Sequence, residues 1–362
     1  MTIFIKIFKK IFANTTNQNV TRVIGFALIL NLVFGVLYYF AERDVQPELT
    51  FLDSLWWAMV TMTTVGYGDH FAQTFTGRFL ISYPCMLLGI GIIGYLVGVV
   101  AENMLERGSR KRKGLLEIKM TNHIIVCNYP GDQKILRLKN ELKRSRRYNE
   151  SEFVLITDKI NELPEALIEQ KINFVKGDPV REDILIKANI LECAGVFILA
   201  EDTEDPGSDT KTFAIGTQIE MMEREEKRPI KVVVEMVSQN NLKMMKRSKV
   251  DAIVSADGIM DVLIAQEFMY PGLHDVFHEI LSNASGSQFY ILDTDLSGRI
   301  FGDLQRKAID FNKPVQVVGL NRNGQSIMNP EKTFSIEERD KLIVLANSRT
   351  DFEHFETEAL SS

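Results

Sequence analysis

The sequence has 362 residues, a formal net charge of −6, and 25% charged side chains. Its mean hydropathy of −0.03 suits a small membrane part joined to a larger soluble part, and argues against a transporter with many spans. The acidic balance argues against nucleic acid as a partner. Three cysteines, at 85, 127 and 193, have no metal or disulfide spacing.

Two apolar segments are long enough to cross a bilayer. Residues 23–40 have Asn31 as their one strongly polar side chain, and residues 79–100 carry no charge over 22 positions. At 1.5 Å per residue the second segment is roughly 33 Å long, enough for a hydrocarbon core of about 30 Å. We therefore predict two transmembrane helices.

A shorter segment and a glycine-containing motif lie between the two spans. Residues 51–63 are amphipathic and, at about 20 Å as a helix, fit a re-entrant helix whose dipole favours a cation at its carboxyl end. The next residues read T-V-G-Y-G, similar to the selectivity filter of potassium channels, where carbonyls of four copies replace the water around the ion. The predicted filter is Thr64, Val65, Gly66, Tyr67 and Gly68, supported by Trp56, Trp57 and Asp69.

Basic residues indicate the orientation. They are concentrated before the first span and after the second: Lys6, Lys9, Lys10 and Arg22, then Arg107, Arg110, Lys111, Arg112 and Lys113. The intervening loop, 41–78, holds only Arg43 and Arg78. Because loops rich in Lys and Arg stay in the cytoplasm, both termini are predicted there, in a multi-pass protein of the cell (plasma or inner) membrane.

The rest of the chain alternates strands and helices. Strands are predicted at 123–127, 152–157, 173–176, 195–200, 230–235 and 252–255, with helices at 132–147 and 210–224. This order implies a Rossmann-like, doubly wound parallel sheet. A helical stretch at 257–282, a Gly/Ser break at 283–287, and short strands within 288–347 around a helix near 304–310 predict a small α+β lobe.

Residues 173–189 (NFVKGDPVREDILIKAN) make the likeness to one family specific. With the filter and the strand pattern, the chain resembles prokaryotic two-transmembrane potassium channels that carry a carboxyl-terminal RCK domain (regulator of K⁺ conductance). The resemblance implies the following division: a pore domain at 1–104, with pore helix and filter at 51–69; a linker at 105–120; a Rossmann-like lobe at 121–256; a helical crossover and dimerisation segment at 257–285; and a carboxyl-terminal lobe at 286–350.

The same resemblance implies a function. The chain would be a ligand-gated, potassium-selective channel and not an enzyme, with four pores in membrane lipid as a homotetramer and an octameric RCK ring that pulls on the second span. Gly89 and Gly91 resemble the hinge of the pore-lining helix, although close helix packing explains such glycines nearly as well. The alternative is a subunit of a Trk/Ktr-like potassium-transport system regulated by nucleotide, which the single filter fused to a single RCK domain disfavours.

A nucleotide is one candidate gating ligand. The first turn after a strand has Asn128 and Pro130 where a G-x-G-x-x-G turn has its first two glycines, so the fingerprint for NAD or adenine nucleotides is degraded. Asp158, at the end of the second strand, could hold a ribose hydroxyl, and Asp178 lies in the family-like segment. Strand-end aspartates are also common helix caps.

Calcium is the rival ligand. Five carboxylates lie within nine residues at a predicted strand end, and a sixth ends the next strand: Glu201, Asp202, Glu204, Asp205 and Asp209, then Glu235. Oxygen ligands at this density suit Ca²⁺, and a solvated acidic loop is an equally good interpretation. The resemblance places Glu235 at a calcium-binding position, but Leu199 stands where related channels have their chief aspartate.

Two further clusters have simpler interpretations. His274 and His278, beside Glu279, could face one zinc ion, but an intersubunit packing helix is favoured because no third ligand is evident. The basic residues within 143–147 suit a solvated helix end, where cations complement the dipole.

Overall fold

The computed structural model describes residues 17–145, 147–255, 257–282 and 286–361. The chain divides into two compact units, Met1–Arg110 and Lys111–Ser362. Some residues used in the sequence interpretation lie outside the described residues: Lys6, Lys9, Lys10, Arg146 and positions 283–285 of the Gly/Ser break.

The first unit is helical. Its helices are α1 (Asn17–Glu42), α2 (Phe51–Met62) and α3 (Tyr83–Arg112), and a π-helical segment, Thr76–Ser82, leads into α3. Among the described residues, two stretches are long and apolar enough to cross a membrane, Arg22–Glu42 and Thr76–Arg112, and each contains an 18-residue window with a mean hydropathy of 2.2. The helical two-span prediction is confirmed. The second helix is longer than predicted and includes the first half of the linker.

The short helix α2 begins at a capping box. The Thr50 hydroxyl accepts from the Asp53 backbone N–H (3.2 Å), and the Asp53 carboxylate accepts from the Thr50 N–H (3.0 Å). This reciprocal pair satisfies two of the amide groups left free at a helix start. α2 packs closely on α1, because a Cβ added at Gly35 would lie 2.6 Å from Leu55.

The second unit contains a six-stranded sheet. Its strands are β1 (Ile124–Cys127), β2 (Phe153–Thr157), β3 (Ile172–Lys176), β4 (Gly195–Ile198), β5 (Val232–Met236) and β6 (Ala252–Ser255). All pairs are parallel, in the order β3-β2-β1-β4-β5-β6, which confirms the Rossmann-like prediction. β1 and β2 are buried throughout because apolar clusters cover both faces of the sheet.

Helices connect these strands. They are α4 (Asp132–Arg144), α5 (Glu165–Glu169), α6 (Glu182–Lys187), α7 (Ser208–Glu226) and α8 (Leu242–Met245). The strand order reverses between β1 and β4, so the carboxyl ends of these two strands form the crevice where doubly wound sheets bind ligands.

The stretch predicted as one helix at 257–282 is two helices, α9 (Ile259–Met269) and α10 (Leu273–Leu281). The break falls at Pro271 and Gly272. Proline cannot donate a helix hydrogen bond, and Gly272 has a φ of +98°, outside the helical region. The Glu267 carboxylate accepts from the Gly272 N–H (2.8 Å) and closes this turn.

The remaining residues form an antiparallel lobe. Its strands, β7 (Gln288–Asp293), β8 (Val315–Arg322), β9 (Gln325–Met328) and β10 (Lys341–Ala346), follow the order β7-β10-β8-β9 beside α11 (Phe301–Asp310). A further helix, α12 (Arg349–Ser361), was not predicted because its sequence is mostly polar. Its Phe352 and Phe355 are buried in the lobe core, so the lobe extends beyond residue 350.

Candidate functional site

The T-V-G-Y-G backbone alternates in conformation. Thr64, Gly66 and Gly68 have φ values of +61°, +56° and +80°, whereas Val65 and Tyr67 do not have positive φ. Alternation of left-handed and right-handed residues turns successive carbonyls toward one side of the strand, which an ordinary β-strand does not do. A positive φ at β-branched Thr64 is strained, and such strain is typical of functional backbone.

The end of α2 holds this strand in place. The Val60 carbonyl accepts from the N–H groups of Val65 (3.1 Å) and Gly66 (3.3 Å), and the Thr63 hydroxyl donates to the Met59 carbonyl (2.7 Å). Since these bonds use groups at the carboxyl end of a short helix, the filter position is fixed by its immediate neighbours in sequence.

The two tryptophans have different partners. Trp56 donates from Nε1 to Asp69 Oδ2 (2.8 Å), and its ring stacks on Tyr67 with centroids 5.8 Å apart. Trp57 instead stacks on Tyr38 of α1 at 3.7 Å. Trp56 therefore contacts the predicted filter through Tyr67 and Asp69, while Trp57 packs α2 against α1.

Glu42 contacts the loop after the predicted filter, and the sequence interpretation did not identify it. It is fully buried at the end of α1. Its carboxylate accepts from the backbone N–H groups of Gln73 (2.9 Å) and Thr74 (3.1 Å), and from the Thr74 hydroxyl (2.7 Å) and Gln46 (3.0 Å). It fixes the loop that follows the filter. A single Glu after an apolar run gives no signal of this in sequence.

The two glycines proposed as a hinge lie within one unbroken helix, α3. A Cβ at Gly89 would be 2.5 Å from the Met62 backbone, whereas nothing lies within 4 Å of a Cβ at Gly91. Gly89 is thus required for packing against the end of α2, and Gly91 has room for a side chain.

Asn128 occupies the crevice between β1 and β4. It is fully buried, has a φ of +72°, and donates from Nδ2 to the Leu199 carbonyl (2.9 Å) across the point where the strand order reverses. Within the described part of the chain, nothing donates to its buried Oδ1. This acceptor fits a donor such as a ribose hydroxyl or an amino group of a base.

The start of α4 does not fit a pyrophosphate. Asp132 stands in the first turn of this helix, accepting from the Tyr129 hydroxyl (2.9 Å), and burial raises the pKa of that tyrosine to about 12. A carboxylate already occupies the end of the helix where an anion would be stabilised. Asp178 lies elsewhere, capping the turn before α6 through the Val180 N–H (3.0 Å).

Lysine side chains form ion pairs with acidic residues at the crevice. Lys211 of α7 contacts both Asp158 Oδ1 and Glu201 Oε1 at 3.2 Å. It therefore links a residue predicted to bind a nucleotide to a residue predicted to bind calcium. Although burial opposes its charge, Glu201 and Asp158 raise the pKa of Lys211. Lys159 also pairs with Glu201 (3.6 Å). The sequence interpretation missed both lysines, because their role depends on the strand order.

Glu235, at β5, has two partners. Its Oε2 accepts from the Ala200 N–H (2.9 Å), and its Oε1 pairs with the ammonium group of Lys134. Like Glu201, it is mostly buried, with side-chain exposures of 18% and 16% respectively. Buried carboxylates of this kind need a positive partner, which the lysines supply here.

The other acidic residues predicted to bind calcium accept hydrogen bonds from nearby backbone N–H groups. Asp202 accepts from the Glu204 N–H (2.9 Å), Asp205 from the Gly207 N–H (2.8 Å), and buried Asp209 from the N–H groups of Val237 (2.7 Å) and Ser238 (3.0 Å). Across the described ranges, no three His, Cys, Asp or Glu side chains come together as a metal site. The six predicted carboxylates are therefore not gathered into one group here, and a calcium site among them stays a prediction.

The histidine pair also lacks a third ligand in the part of the chain that the structure describes. His274 and His278 lie on α10 with ring centroids 6.4 Å apart. Among the described residues, the cysteines also belong to no group of metal-ligand side chains. Burial raises the pKa of Cys193 to about 11 and raises that of Cys127 further.

The linker is fastened to the edge strand β3 at Gly114, another residue not identified from sequence. Its carbonyl accepts from the Lys176 N–H (3.0 Å) and from the Lys187 ammonium (2.9 Å), and two residues earlier the Arg112 carbonyl accepts from the Leu163 N–H (2.9 Å). Gly114 is buried with a φ of +64°, and a Cβ there would lie 2.4 Å from the Lys176 nitrogen. We call these contacts the linker seat.

Three family models match successive parts of the chain. They are described as ion channel (residues 26–106), calcium-activated potassium channel slowpoke-like RCK domain (119–245), and Castor and Pollux, part of voltage-gated ion channel (258–360).

Individual relatives match over most of the length. The calcium-gated potassium channel TvoK of Thermoplasma volcanium is 24% identical over 348 residues, which are 95% of this chain and 96% of TvoK. Probable potassium channel protein 2 of Methanocaldococcus jannaschii is 22% identical over 341 residues, 89% of each chain. A solved GsuK channel bound to NAD is 14% identical, with a TM-score of 0.46 over 92% of this chain and 58% of that one.

Proposed function

Because this chain belongs to the two-span potassium channels that carry an RCK domain, we propose that it conducts potassium under the control of a ligand that binds the RCK domain. Each chain supplies one filter strand, and a carbonyl cage around an ion needs four, so the working pore is a homotetramer. An octameric ring of RCK domains would then do the gating.

The alternating backbone of Thr64, Gly66 and Gly68 supports this proposal most directly. We further propose the functional division inferred from the sequence: pore at 1–104, linker at 105–120, RCK lobes at 121–256 and 286–350, and a crossover at 257–285, with α12 added to the last lobe. Arg107, Arg110 and the residues up to Lys113 support a cytoplasmic location for the end of α3 and for both termini.

Ion selectivity tests the pore assignment. In planar bilayers with potassium on one side and sodium on the other, we expect a reversal potential set by potassium, because the carbonyl cage replaces the potassium hydration shell. Reversal near zero would show equal permeability and would refute the filter assignment.

The gating ligand has two candidates, each with its own support. The unpaired acceptor of Asn128 and the neighbouring Asp158 support a nucleoside or nucleotide. The similarity to TvoK, named a calcium-gated channel, supports calcium. Either ligand would act at the carboxyl edge of the sheet, where Lys211 now joins Asp158 to Glu201.

Paired variants separate the candidates. If calcium is the ligand, Glu235→Gln with Asp202→Asn should shift the calcium midpoint for open probability by about tenfold or more, because each carboxylate lost removes a ligand and a charge. If a nucleotide is the ligand, Asn128→Ala with Asp158→Ala should instead alter the response to NAD or ADP. Single-channel recording measures both.

The charge-matched control for the calcium pair is Glu225→Gln with Glu226→Gln, since both glutamates are exposed at the end of α7, away from the crevice residues. It should leave either midpoint unchanged. A channel indifferent to calcium in its unaltered form excludes the calcium candidate, and one indifferent to nucleotides excludes the other.

A further inference from the structure

A small cavity lies beside the linker seat, at the open edge of strand β3. It has a volume of about 280 Å³, near the lower end of the range for small-ligand sites. Leu163 and Phe174 form an apolar floor, both more than nine-tenths buried. Lys111 and Arg112 line it from the last turn of α3, and Lys171 lines it from the turn before β3.

The three cations have no counter-charge of their own. Within the ranges that the structure describes, the side chains of Lys111, Arg112 and Lys171 form no ion pair or hydrogen bond. The one acid on the cavity wall, Glu152, accepts from the Asn173 side chain (3.2 Å). The cavity therefore carries a net positive charge.

Backbone hydrogen bonds hold the segments that carry these charges. Lys171 lies two residues past α5 with a φ of +56°, and its N–H donates to the Ile168 carbonyl (2.8 Å). The Arg112 carbonyl is held by Leu163, as part of the linker seat. Burial first, and then the charges of Lys143 and Lys171, lower the pKa of Lys139 on α4.

We propose that this cavity binds a phosphate group. Oxygens of a phosphate match ammonium and guanidinium donors that come from two sides, and they remove the repulsion among the three cations. A phosphate bound here would join the end of α3 to the sheet edge and so strengthen the linker seat.

The phosphate could belong to a soluble ester or to a lipid headgroup. Arg112 lies 12 residues past Val100, the last residue of the apolar run, which is about 18 Å along the helix. Two measurements distinguish these sources.

Titration calorimetry of the full-length channel in phosphatidylcholine nanodiscs, with inorganic phosphate and pyrophosphate as probes, tests the soluble source. Native mass spectrometry after reconstitution with phosphatidylglycerol tests the lipid source. We expect saturable binding in at least one arm. K171Q should weaken it about tenfold, and K111Q with R112Q at least as much, because each change removes a charge-assisted bond.

K227Q is a closely matched control. Lys227 is also an exposed lysine with positive φ (+53°) within two residues of a helix end, that of α7, but it does not line the cavity. It should leave binding within about twofold of the unaltered channel, well below the tenfold loss of a charge-assisted bond. The proposal is overturned if neither arm shows saturable binding, or if K227Q weakens binding as much as K171Q.

Discussion

Gly66→Ala is expected to abolish selective potassium conduction while leaving a channel that still assembles. Gly66 has a φ of +56°, and no atom lies within 4 Å of the position a Cβ would take, so the cost comes from the backbone alone. That cost is about 1–2 kcal/mol per residue, and four copies around one pore raise it to roughly 4–8 kcal/mol. The strand should relax and turn its carbonyls away from the ion.

Rubidium flux into vesicles and size-exclusion chromatography together check this prediction. Gly25→Ala is the control, because a Cβ at this helical glycine of α1 meets nothing within 4 Å. The control should conduct normally. Potassium-selective flux through the Gly66→Ala channel would show that the positive φ is not required for conduction.

Gly114→Ala should uncouple the ligand from the pore. The new Cβ would lie 2.4 Å from the Lys176 nitrogen and 2.8 Å from the Phe174 ring, and the φ of +64° adds backbone strain. Overlap of this kind costs about 1–3 kcal/mol, enough to displace the linker seat in most molecules. The ligand should still bind, since its crevice residues are elsewhere, but the end of α3 would no longer follow the RCK lobe.

Two measurements on the same protein distinguish uncoupling from loss of binding. Calorimetry should give an unchanged ligand affinity, while the change in open probability at saturating ligand should fall by about fivefold or more. Gly108→Ala, in the last turns of α3, is the control, with nothing within 4 Å of its added Cβ. A full gating response in Gly114→Ala would mean that coupling does not pass through the linker seat.

Most of the architecture could be predicted from the sequence because periodic patterns of apolar residues indicate helices and strands. Two long apolar runs, a short amphipathic segment and buried strands separated by helices are local signals. The two separate helices α9 and α10 also had a local signal, Pro271 followed by Gly272, which apolar periodicity outweighed.

Long-range partners could not be predicted in the same way. Lys211 lies 53 residues from Asp158 and 10 from Glu201, and it meets both because parallel strands bring their ends to one edge. Glu42 meets Thr74 across 32 residues. Spacing alone also could not show which of the acidic residues 201–209 accept hydrogen bonds from backbone amides.

The linker seat also covers part of an open sheet edge. β3 is the outermost strand, and at its carboxyl end the Lys176 N–H is taken up by the Gly114 carbonyl. Unpaired edge amides invite strands from other molecules, and a soluble RCK fragment beginning at Met120 would leave this amide free. A fragment beginning at Met104 would retain Gly114, whose carbonyl binds this amide. The choice of the first residue therefore decides whether the isolated domain stays dispersed or associates through its edges.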